Sequence, residues 1–326
     1  MSIRSNILRE LEKNKGTSIS GARLAESLNV SRTAIWKHIE DLRKEGYNIS
    51  ALSNKGYCLS PTTDLISAEG IIPYLNTPYS TTSIYTFKTL ESTNETAKEL
   101  ALNGASHGTI VISEEQTAGK GRLGRKFYSP SNSGIYMSII LRPNLKISDA
   151  VLITTAASVA ICNAIENVTN TNVKIKWIND IVINDKKVCG ILTEAVTDFE
   201  TGNIQHLILG IGINFNTSEN DFPIEIRNLA TSIFSNTDTT STRNQLCAEV
   251  INKILFMIED IKNYDFIDEY KKRSIILNQD ITFIRGGIST KGRAIDINDD
   301  GSLVVKKENN EIVTLNSGEV SIRRII

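Results

Sequence analysis

Residues 114–128 read EEQTAGKGRLGRKFY, a loop that follows a strand-like run and in which glycines alternate with cations. The glycines are Gly119, Gly121 and Gly124, and the cations are Lys120, Arg122, Arg125 and Lys126. Gly121 stands where a Walker A loop needs Ser or Thr after its lysine. A dinucleotide fingerprint is excluded because no helix-like pattern follows the loop. The loop therefore predicts a flexible anion site of backbone amides and cations, although a charged surface loop fits equally well.

The segments around this loop predict the fold of the centre of the chain. Strand-like runs alternate with apolar helical patterns, and NDKK at 184–187 joins two strand-like runs as a hairpin. The strand-like runs cover 83–90, 109–116, 134–143, 173–185, 186–197 and 204–216. Strands joined in this way predict a mixed, mostly antiparallel sheet with helices on one side. From about residue 276, short strands separated by Gly and Asp-Gly turns predict a five-stranded small β-barrel.

The first sixty residues have a different pattern. Residues 19–45 hold two amphipathic helices with Ser20 and Ser31 as predicted N-caps and Asn29 in the turn between them. This spacing is typical of a helix-turn-helix. The run YNISALSNKGYCLS then predicts a hairpin turning at Asn54, Lys55 and Gly56, so the whole forms a winged helix. A helical protein-interaction domain is the alternative.

Charge distribution favours DNA as the partner of this segment. The chain carries a net charge of −1, but residues 1–62 carry +4 and the remainder carries −5. A basic module on an otherwise acidic chain indicates nucleic-acid binding by that module alone. The residues predicted to contact DNA from the second helix and the wing are Ser31, Arg32, Thr33, Lys37, His38 and Lys55.

Composition narrows the environment. The four cysteines are far apart and form no CxxC, so a structural metal site or a disulfide framework is not expected. Isolated thiols fit a reducing cytoplasm, and the amino terminus lacks a signal-peptide pattern. The apolar stretch AVLITTAASVAI is too short and too rich in Thr and Ser to predict a membrane span. A polar connector near residue 62 gives predicted domains 1–62, 63–275 and 276–326.

Four further segments carry polar residues where a ligand could bind. ESTNE at 91–95 places hydroxyls at a strand-to-helix junction, KIKWINDI places Asp180 beside an apolar strand, and KKVCGILTE places Lys187 at a strand start. GIGINFN uses Gly210 and Gly212 where backbone or ligand packs closely. Each has an ordinary structural explanation when it stands alone, namely a helix cap, a turn acid or a loop.

Together, the order ESTNE, EEQTAGKGRLGRKFYSP, KWIND, KVCGILTE, GIGINFN and LATSI behind a winged helix resembles the bacterial bifunctional biotin protein ligase and biotin operon repressor family. The resemblance covers essentially the whole chain. It implies an α+β multidomain protein with a class II synthetase-like biotin/lipoate ligase domain and a C-terminal SH3-like β-barrel. It also implies that biotin and ATP, with Mg²⁺ on the ATP, form biotinyl-5′-AMP, and that biotin then passes to a carrier lysine.

The resemblance assigns roles to individual residues. The implied catalytic residues are Lys187, Arg122 and Asp180. The implied biotin-binding residues are Ser92, Thr93, Asn94, Gln116, Gly119, Lys120, Gly121, Arg122, Lys187 and Gly190. The implied nucleotide-binding residues are Arg122, Arg125, Lys126, Phe127, Asn179 and Asn214. The implied partners are a biotin carboxyl carrier domain of acetyl-CoA carboxylase or pyruvate carboxylase, operator DNA, and a second copy of the chain when biotinyl-AMP is bound, without a membrane.

Three positions depart from the family pattern. Lys120 stands where the family often has Arg, Phe127 where a Trp commonly stacks on adenine, and Ile178 where the family has Pro. Lysine cannot form a bidentate fork, and phenylalanine has a smaller stacking face. These changes affect nucleotide affinity and remove no catalytic group. The alternatives are a biotin-responsive repressor without catalysis and a lipoate-type ligase.

Overall fold

The computed structural model describes residues 2–52, 55–146, 149–197, 200, 203–235, 239, 241–259, 261, 266–285, 288–316 and 319–322. The chain divides into two compact units. The first unit comprises Met1–Thr81 and Ser241–Glu249, and the second comprises Thr82–Thr240 and Val250–Ile326.

The first unit contains a winged helix-turn-helix. Its elements are α1 (Ile3–Lys13), α2 (Gly21–Ser27), α3 (Arg32–Lys44), β1 (Ile49–Leu52), β2 (Gly56–Leu59) and the short α4 (Ala68–Ile71). The predicted caps are confirmed: the hydroxyl of Ser20 accepts from the amides of α2, that of Ser31 accepts from Ala34 N, and Asn29 has φ 52°. Strands β1 and β2 pair antiparallel and form the predicted wing. Asn54 of the predicted turn lies outside the described residues.

The core of this unit follows the helical periodicity of the sequence. Apolar residues recur one turn apart along α1 and α3, and their side chains are fully buried together with Leu24 and Leu59. The residues of α1 and α3 in this core are Ile7, Leu8, Leu11, Ile35, Ile39 and Leu42. The side of α3 outside the core therefore carries four of the residues predicted to contact DNA, namely Arg32, Thr33, Lys37 and His38.

A clamp inside the first unit holds the connector after the wing. Helix α7 (Arg243–Glu259) begins in this unit, and the Arg243 guanidinium, which is 1% exposed, pairs with the Asp64 carboxylate at 2.9 Å. The Arg243 amide donates to the other Asp64 oxygen at 2.8 Å. Asn244 accepts from Ser67 N and donates to Leu65 O, at 3.1 and 2.9 Å. The start of α7 thus binds polar groups of residues 64–67 of the connector. The periodicity of the sequence does not predict these contacts, because the two segments are far apart in the chain.

The second unit is built on a seven-stranded mixed sheet in the order β3-β4-β5-β9-β8-β7-β6. Its strands are β3 (Ile84–Leu90), β4 (Ile110–Gln116), β5 (Gly134–Leu141), β6 (Lys174–Lys176), β7 (Asp180–Ile183), β8 (Lys186–Thr197) and β9 (Ile204–Asn214). Among these described strands only β3 and β4 pair parallel, and the predicted mixed sheet is confirmed. Asn184 and Asp185, both with positive φ, form the two-residue turn of the β7–β8 hairpin.

The helices of this unit lie on both faces of the sheet, so the expectation of helices on one side is wrong. Asn94 of α5 (Thr93–Leu102) donates to Glu194 of β8 at 2.6 Å. Thr154 of α6 (Ala150–Thr169) shares a hydrogen bond of 2.8 Å with Thr193. Consecutive strand residues point to opposite faces. Periodicity could not show this, because a strand buried on both sides, such as β5, is buried at every position and apolar except for Gly134 and Ser138, so it shows no alternation.

Helix α6 is longer than the apolar stretch that the sequence suggested. It has 20 residues, and by length and composition alone it could cross a membrane. However, 67% of its most apolar window is buried within the structure. We therefore describe α6 as a core helix that packs on the sheet.

The carboxyl-terminal region is a separate small sheet. After α8 (Ile267–Arg273), the strands are β10 (Asp280–Arg285), β11 (Ile288–Ile297), β12 (Leu303–Lys307), β13 (Ile312–Leu315) and β14 (Glu319–Ile322). They form an antiparallel sheet in the order β13-β12-β11-β10-β14. The predicted five-stranded domain is confirmed. Its β11–β12 turn contacts the central sheet, because the indole N–H of Trp177 donates to Gly301 O at 3.0 Å.

Candidate active site

The floor of the candidate site is a stretch of adjacent strands that carries glycine instead of side chains. Gly190 of β8 pairs directly with Gly212 of β9, and Leu192 pairs with Gly210. Direct partners in antiparallel strands share a face. A Cβ at Gly210 would clash with the Asn94 amide, and one at Gly212 would lie 2.5 Å from the Phe127 ring. The side chains of Asn94 and Phe127 thus pack close to these glycines, which line a cavity together with residues of α5 and the glycine loop.

Ser92 at the start of α5 differs from the other helix-capping serines. It occupies the N-cap position, yet its hydroxyl makes no capping hydrogen bond. The side chains of Ser20, Ser31 and Ser67 all cap their helices. Ser92 is only 3% exposed and lines the cavity. Because buried hydroxyls are normally hydrogen-bonded, the Ser92 hydroxyl is suited to bind a ligand.

A chain of hydrogen bonds fixes the orientation of Gln116 at the end of β4. Its Oε1 accepts from the amide and the hydroxyl of Thr93, at 2.8 and 3.1 Å. Its Nε2 donates to the Ser129 hydroxyl at 3.0 Å, and that hydroxyl donates to Phe127 O at 3.0 Å. An amide nitrogen has two hydrogens. One N–H of Gln116 is therefore left to donate to an acceptor in the cavity.

Asn94 joins the cavity to a network of charged side chains. Its Oδ1 accepts from the Ser138 hydroxyl at 2.6 Å, and its Nδ2 donates to Glu194. The other Glu194 oxygen pairs with Lys98 at 2.7 Å. Both ends of the Asn94 amide are thus held by protein groups, and as in Gln116 one N–H of the amide nitrogen remains beside the cavity that Asn94 lines.

Glu95 connects this network to the glycine loop. Its Oε1 accepts from Lys120 at 2.7 Å and from Lys98 at 3.0 Å. The hydrogen bonds from Lys120 and Lys98 lower the pKa of the Glu95 carboxyl below its ordinary value. Lys120 therefore contacts α5 in this conformation, although it also lines the cavity.

The glycine loop is more ordered internally than the sequence suggested. Gly121 N donates to Arg125 O at 2.7 Å, and Phe127 N donates to Gly119 O at 2.9 Å. A Cβ at Gly119 would lie 2.6 Å from Phe127 O, so only glycine fits there. In this conformation three loop amides, those of Gly121, Arg125 and Phe127, bond to carbonyls of the loop itself.

Phe127 lies between the glycine-floored cavity and a second cavity. Its ring lies over Gly212 and meets the Tyr136 ring edge-on, with centroids 6.4 Å apart. The Lys187 ammonium lies 5.9 Å from the ring centroid. The second cavity, of about 460 Å³, is lined by Arg125, Lys126, Phe127, Tyr128, Lys176, Asp180, Val182, Asp185, Lys187, Asn214, Phe222, Ile226, Leu229 and Ala230.

Lys187 is the cation that both cavities share. Its Nζ lies 2.6 Å from Asp180 Oδ1, and the two residues lie on paired strands. Asn214 donates to Lys187 O and Thr231 O, at 3.4 and 3.0 Å, which ties the strand ends together. A partly exposed ammonium between two cavities can neutralise anionic groups that enter from both sides.

The predicted site residues fall into two groups. Those that line the first cavity are Ser92, Thr93, Asn94, Gln116, Lys120, Gly121, Arg122, Phe127, Asn179, Lys187 and Gly190. Those that line the second are Arg125, Lys126, Phe127, Asp180, Lys187 and Asn214. Arg122 donates to Asn179 at 3.1 Å. Both residues were predicted to bind the nucleotide, and both line the first cavity. Gly119 supports the loop behind the first cavity.

Sequence reasoning missed the residues that hold these groups in place. Ser129 and Ser138 are buried and bond to site residues. Glu194 lies on the same face of β8 as Gly190 and Leu192, because alternate residues of a strand share a face. This alternation could have identified Glu194 from the sequence. Ser129 had no such signal, because its contact with Gln116 depends on the path of the loop.

The matches to known proteins cover all three regions of the chain. Residues 86–214 match the biotin/lipoate A/B protein ligase family, residues 4–58 match an HTH domain, and residues 276–323 match the biotin protein ligase C-terminal domain. The bifunctional ligase/repressor BirA of Bacillus spizizenii is 36% identical over 94% of both chains. That of Bacillus subtilis is 41% identical over 71% of this chain and 70% of its own length.

A solved structure supports the same relationship. The biotin protein ligase from Aquifex aeolicus in complex with biotin and ATP has a TM-score of 0.63 and 27% identity. The alignment covers 74% of this chain and 99% of that one.

Proposed function

The chain belongs to the bifunctional ligase/repressor family of biotin protein ligases, and from this premise we propose how its residues activate biotin. The reaction joins the biotin carboxylate to the α-phosphate of ATP with release of pyrophosphate. The biotinyl group then passes from biotinyl-5′-AMP to a lysine of a carrier protein. The amino-terminal winged helix represses transcription.

The ureido ring of biotin binds at the start of α5. The Ser92 hydroxyl, which caps no helix amide, and the remaining N–H of Gln116 lie at the cavity. Thr93 is bound by Gln116 and Ser138, so it orients the donors around it. A buried polar group whose only partner is the ligand rejects analogues that lack the matching atom. This pocket therefore selects a ureido group over an apolar ring.

Lys187 brings the two reacting anions together. Its ammonium borders both cavities, with biotin on the glycine side and the nucleotide on the Phe127 side. A carboxylate and a phosphate repel each other, and a fixed cation that contacts both lowers the barrier to attack. Asp180 holds Lys187 until the ligands arrive. Arg122, oriented by Asn179, neutralises the carboxylate and phosphate from the first cavity.

The second cavity holds the nucleotide. Arg125 and Lys126 bind phosphates, Phe127 stacks on adenine, and Asn214 supports the strand ends below it. The described residues contain no group of three or more Asp, Glu, His or Cys that could hold a metal ion. Mg²⁺ would enter with the triphosphate, and Asp180 is an acid of the second cavity that could contact it. There Mg²⁺ would neutralise charge on the phosphates.

The partners follow from the two units. We propose that the acceptor is the biotin carboxyl carrier domain of acetyl-CoA carboxylase or pyruvate carboxylase. Operator DNA binds α3 and the wing, and bound biotinyl-AMP favours a homodimer that matches two half-sites. The four cysteines are free thiols, which supports a reducing cytoplasm as the location. The three predicted domains correspond to DNA binding, catalysis and a carboxyl-terminal accessory domain.

The observation that carries the ligase function is the buried, non-capping Ser92 beside a cation shared by two cavities. The test incubates the protein with biotin, MgATP and a carrier domain, and follows pyrophosphate release and the mass of the carrier. We expect pyrophosphate and a carrier heavier by one biotinyl group. If neither pyrophosphate nor a heavier carrier is formed, the ligase function is wrong and a biotin-responsive repressor without catalysis remains. Transfer of lipoate in place of biotin would instead identify a lipoate-type ligase.

A further inference from the structure

The DNA-facing side of α3 carries a large apolar side chain that the predicted DNA contacts did not include. Trp36 is 55% exposed, whereas its neighbour Ile35 is 1% exposed in the core. The chain has two tryptophans, and the other, Trp177, is 4% exposed with its N–H bonded to Gly301 O. Trp36 therefore exposes to solvent an apolar ring that a binding partner could cover.

The position of Trp36 on the helix places it among the cations of the same face. Residues three and four apart share a helix face, so Trp36 neighbours Arg32, Thr33 and Glu40. Lys37 is adjacent and exposed, and no acid occurs between Ser31 and Ile39. Glu40 is paired with Arg43 at 2.6 Å, so the surface between the indole and the start of α3 is basic and suits a polyanion.

We propose that Trp36 contacts thymine methyl groups in the major groove and gives the repressor a preference for A·T pairs at that position. This inference rests on the DNA-binding role proposed above. The second helix of a helix-turn-helix enters the major groove, and the C5-methyl of thymine is the apolar group that the groove presents. Arg32 and Lys37 bind phosphate on either side. A protein partner fits less well, because Arg32 and Lys37 make the start of α3 positively charged next to the indole.

The experiment removes the methyl group and the indole separately. A duplex is first selected from a random-sequence pool by the full chain with biotin and MgATP. Each thymine of that duplex is then replaced singly by deoxyuridine, which keeps base pairing and lacks only the methyl. Affinity is measured by fluorescence anisotropy for the wild type, Trp36→Ala, Trp36→Phe and Lys37→Ala.

For the wild type, we expect one or two deoxyuridine positions to weaken binding by about fourfold, the value of one buried methyl-sized group. Trp36→Ala should bind the unmodified duplex more weakly and be indifferent to deoxyuridine at those positions. Trp36→Phe should keep part of the methyl effect. Lys37→Ala should weaken all duplexes equally and reduce the salt dependence of binding.

Two controls separate a DNA contact by Trp36 from a loss of folding or of dimerisation. Biotinylation of the carrier and the melting temperature should be unchanged in Trp36→Ala, because the indole is exposed. The inference is overturned if Trp36→Ala retains the wild-type ratio between the two duplexes, or if it weakens binding only by lowering dimerisation in sedimentation. If the wild type selects no duplex, the DNA-binding role itself fails, and that result is distinct.

Discussion

Ser31 and Ser92 occupy the same kind of position in the two units, yet they use their hydroxyls differently. Ser31 precedes α3, and its hydroxyl accepts from Ala34 N at 3.1 Å. Ser92 precedes α5, and its hydroxyl makes no capping bond. Ser31 is exposed, whereas Ser92 is buried. A polar residue at a helix start therefore marks a ligand site only when local structure leaves its side chain unused.

The same distinction separates the two adjacent lysines at the start of β8. Lys186 pairs with Glu219 at 3.0 Å on the surface, whereas Lys187 borders both cavities. We expect Lys187→Met to reduce biotin-dependent ATP–pyrophosphate exchange by about 10³-fold, because a fixed group that stabilises the transition state is lost. Lys186→Met is the matched control and should keep nearly full activity. Equal loss in both variants would contradict the role of Lys187.

Alanine at each of the two serines gives opposite expected results. Ser92→Ala should weaken biotin binding about tenfold, since one hydrogen bond in a buried site is lost, and should leave the melting temperature unchanged. Ser31→Ala should leave biotin affinity unchanged and cost about 1 kcal/mol in the stability of the first unit. Isothermal titration and thermal unfolding measure both quantities. A destabilised Ser92→Ala with normal biotin affinity would show that Ser92 is an ordinary cap.

Replacing Lys120 by Met should have the smallest effect on stability, because its ion pair with Glu95 is partly exposed. In Lys120→Met, the pKa of the Glu95 carboxyl should rise toward its ordinary value of 4.5, as followed by carbon-13 NMR. A lowered folded-state pKa stabilises the protein above the unfolded-state pKa, and this contribution disappears as pH falls through the folded-state value. The variant should therefore lose under about 1 kcal/mol at neutral pH and little at acid pH.

Biotin sharpens this test. If Lys120 leaves Glu95 to contact the ligand, the pKa of Glu95 should rise when biotin binds to the wild type. It should not change in Lys120→Met. The four samples are the wild type and Lys120→Met, each with and without biotin. The same pKa of Glu95 in all four would show that the ion pair has no role in the loop.

The sequence predicted those parts of the molecule that depend on neighbours along the chain. The winged helix follows from helical spacing, two serine caps and the left-handed Asn29. The segments ESTNE and KVCGILTE, whose order along the chain matches a family, supply residues that line one cavity. The faces of the sheet were missed, since the apolar run of β5 carries no alternation. The support of Gln116 by Ser129 was also missed, because it depends on a folded loop.

The clamp at the start of α7 determines where the chain can be shortened. A catalytic fragment that begins after Thr81 would keep Arg243 and Asn244 but discard Asp64, Leu65 and Ser67. The guanidinium, nearly inaccessible in the whole protein, would then lose its counter-charge at a newly bared helix end. A soluble fragment without the DNA-binding helices should therefore begin before Asp64, although the compact unit to which that residue belongs extends to Thr81.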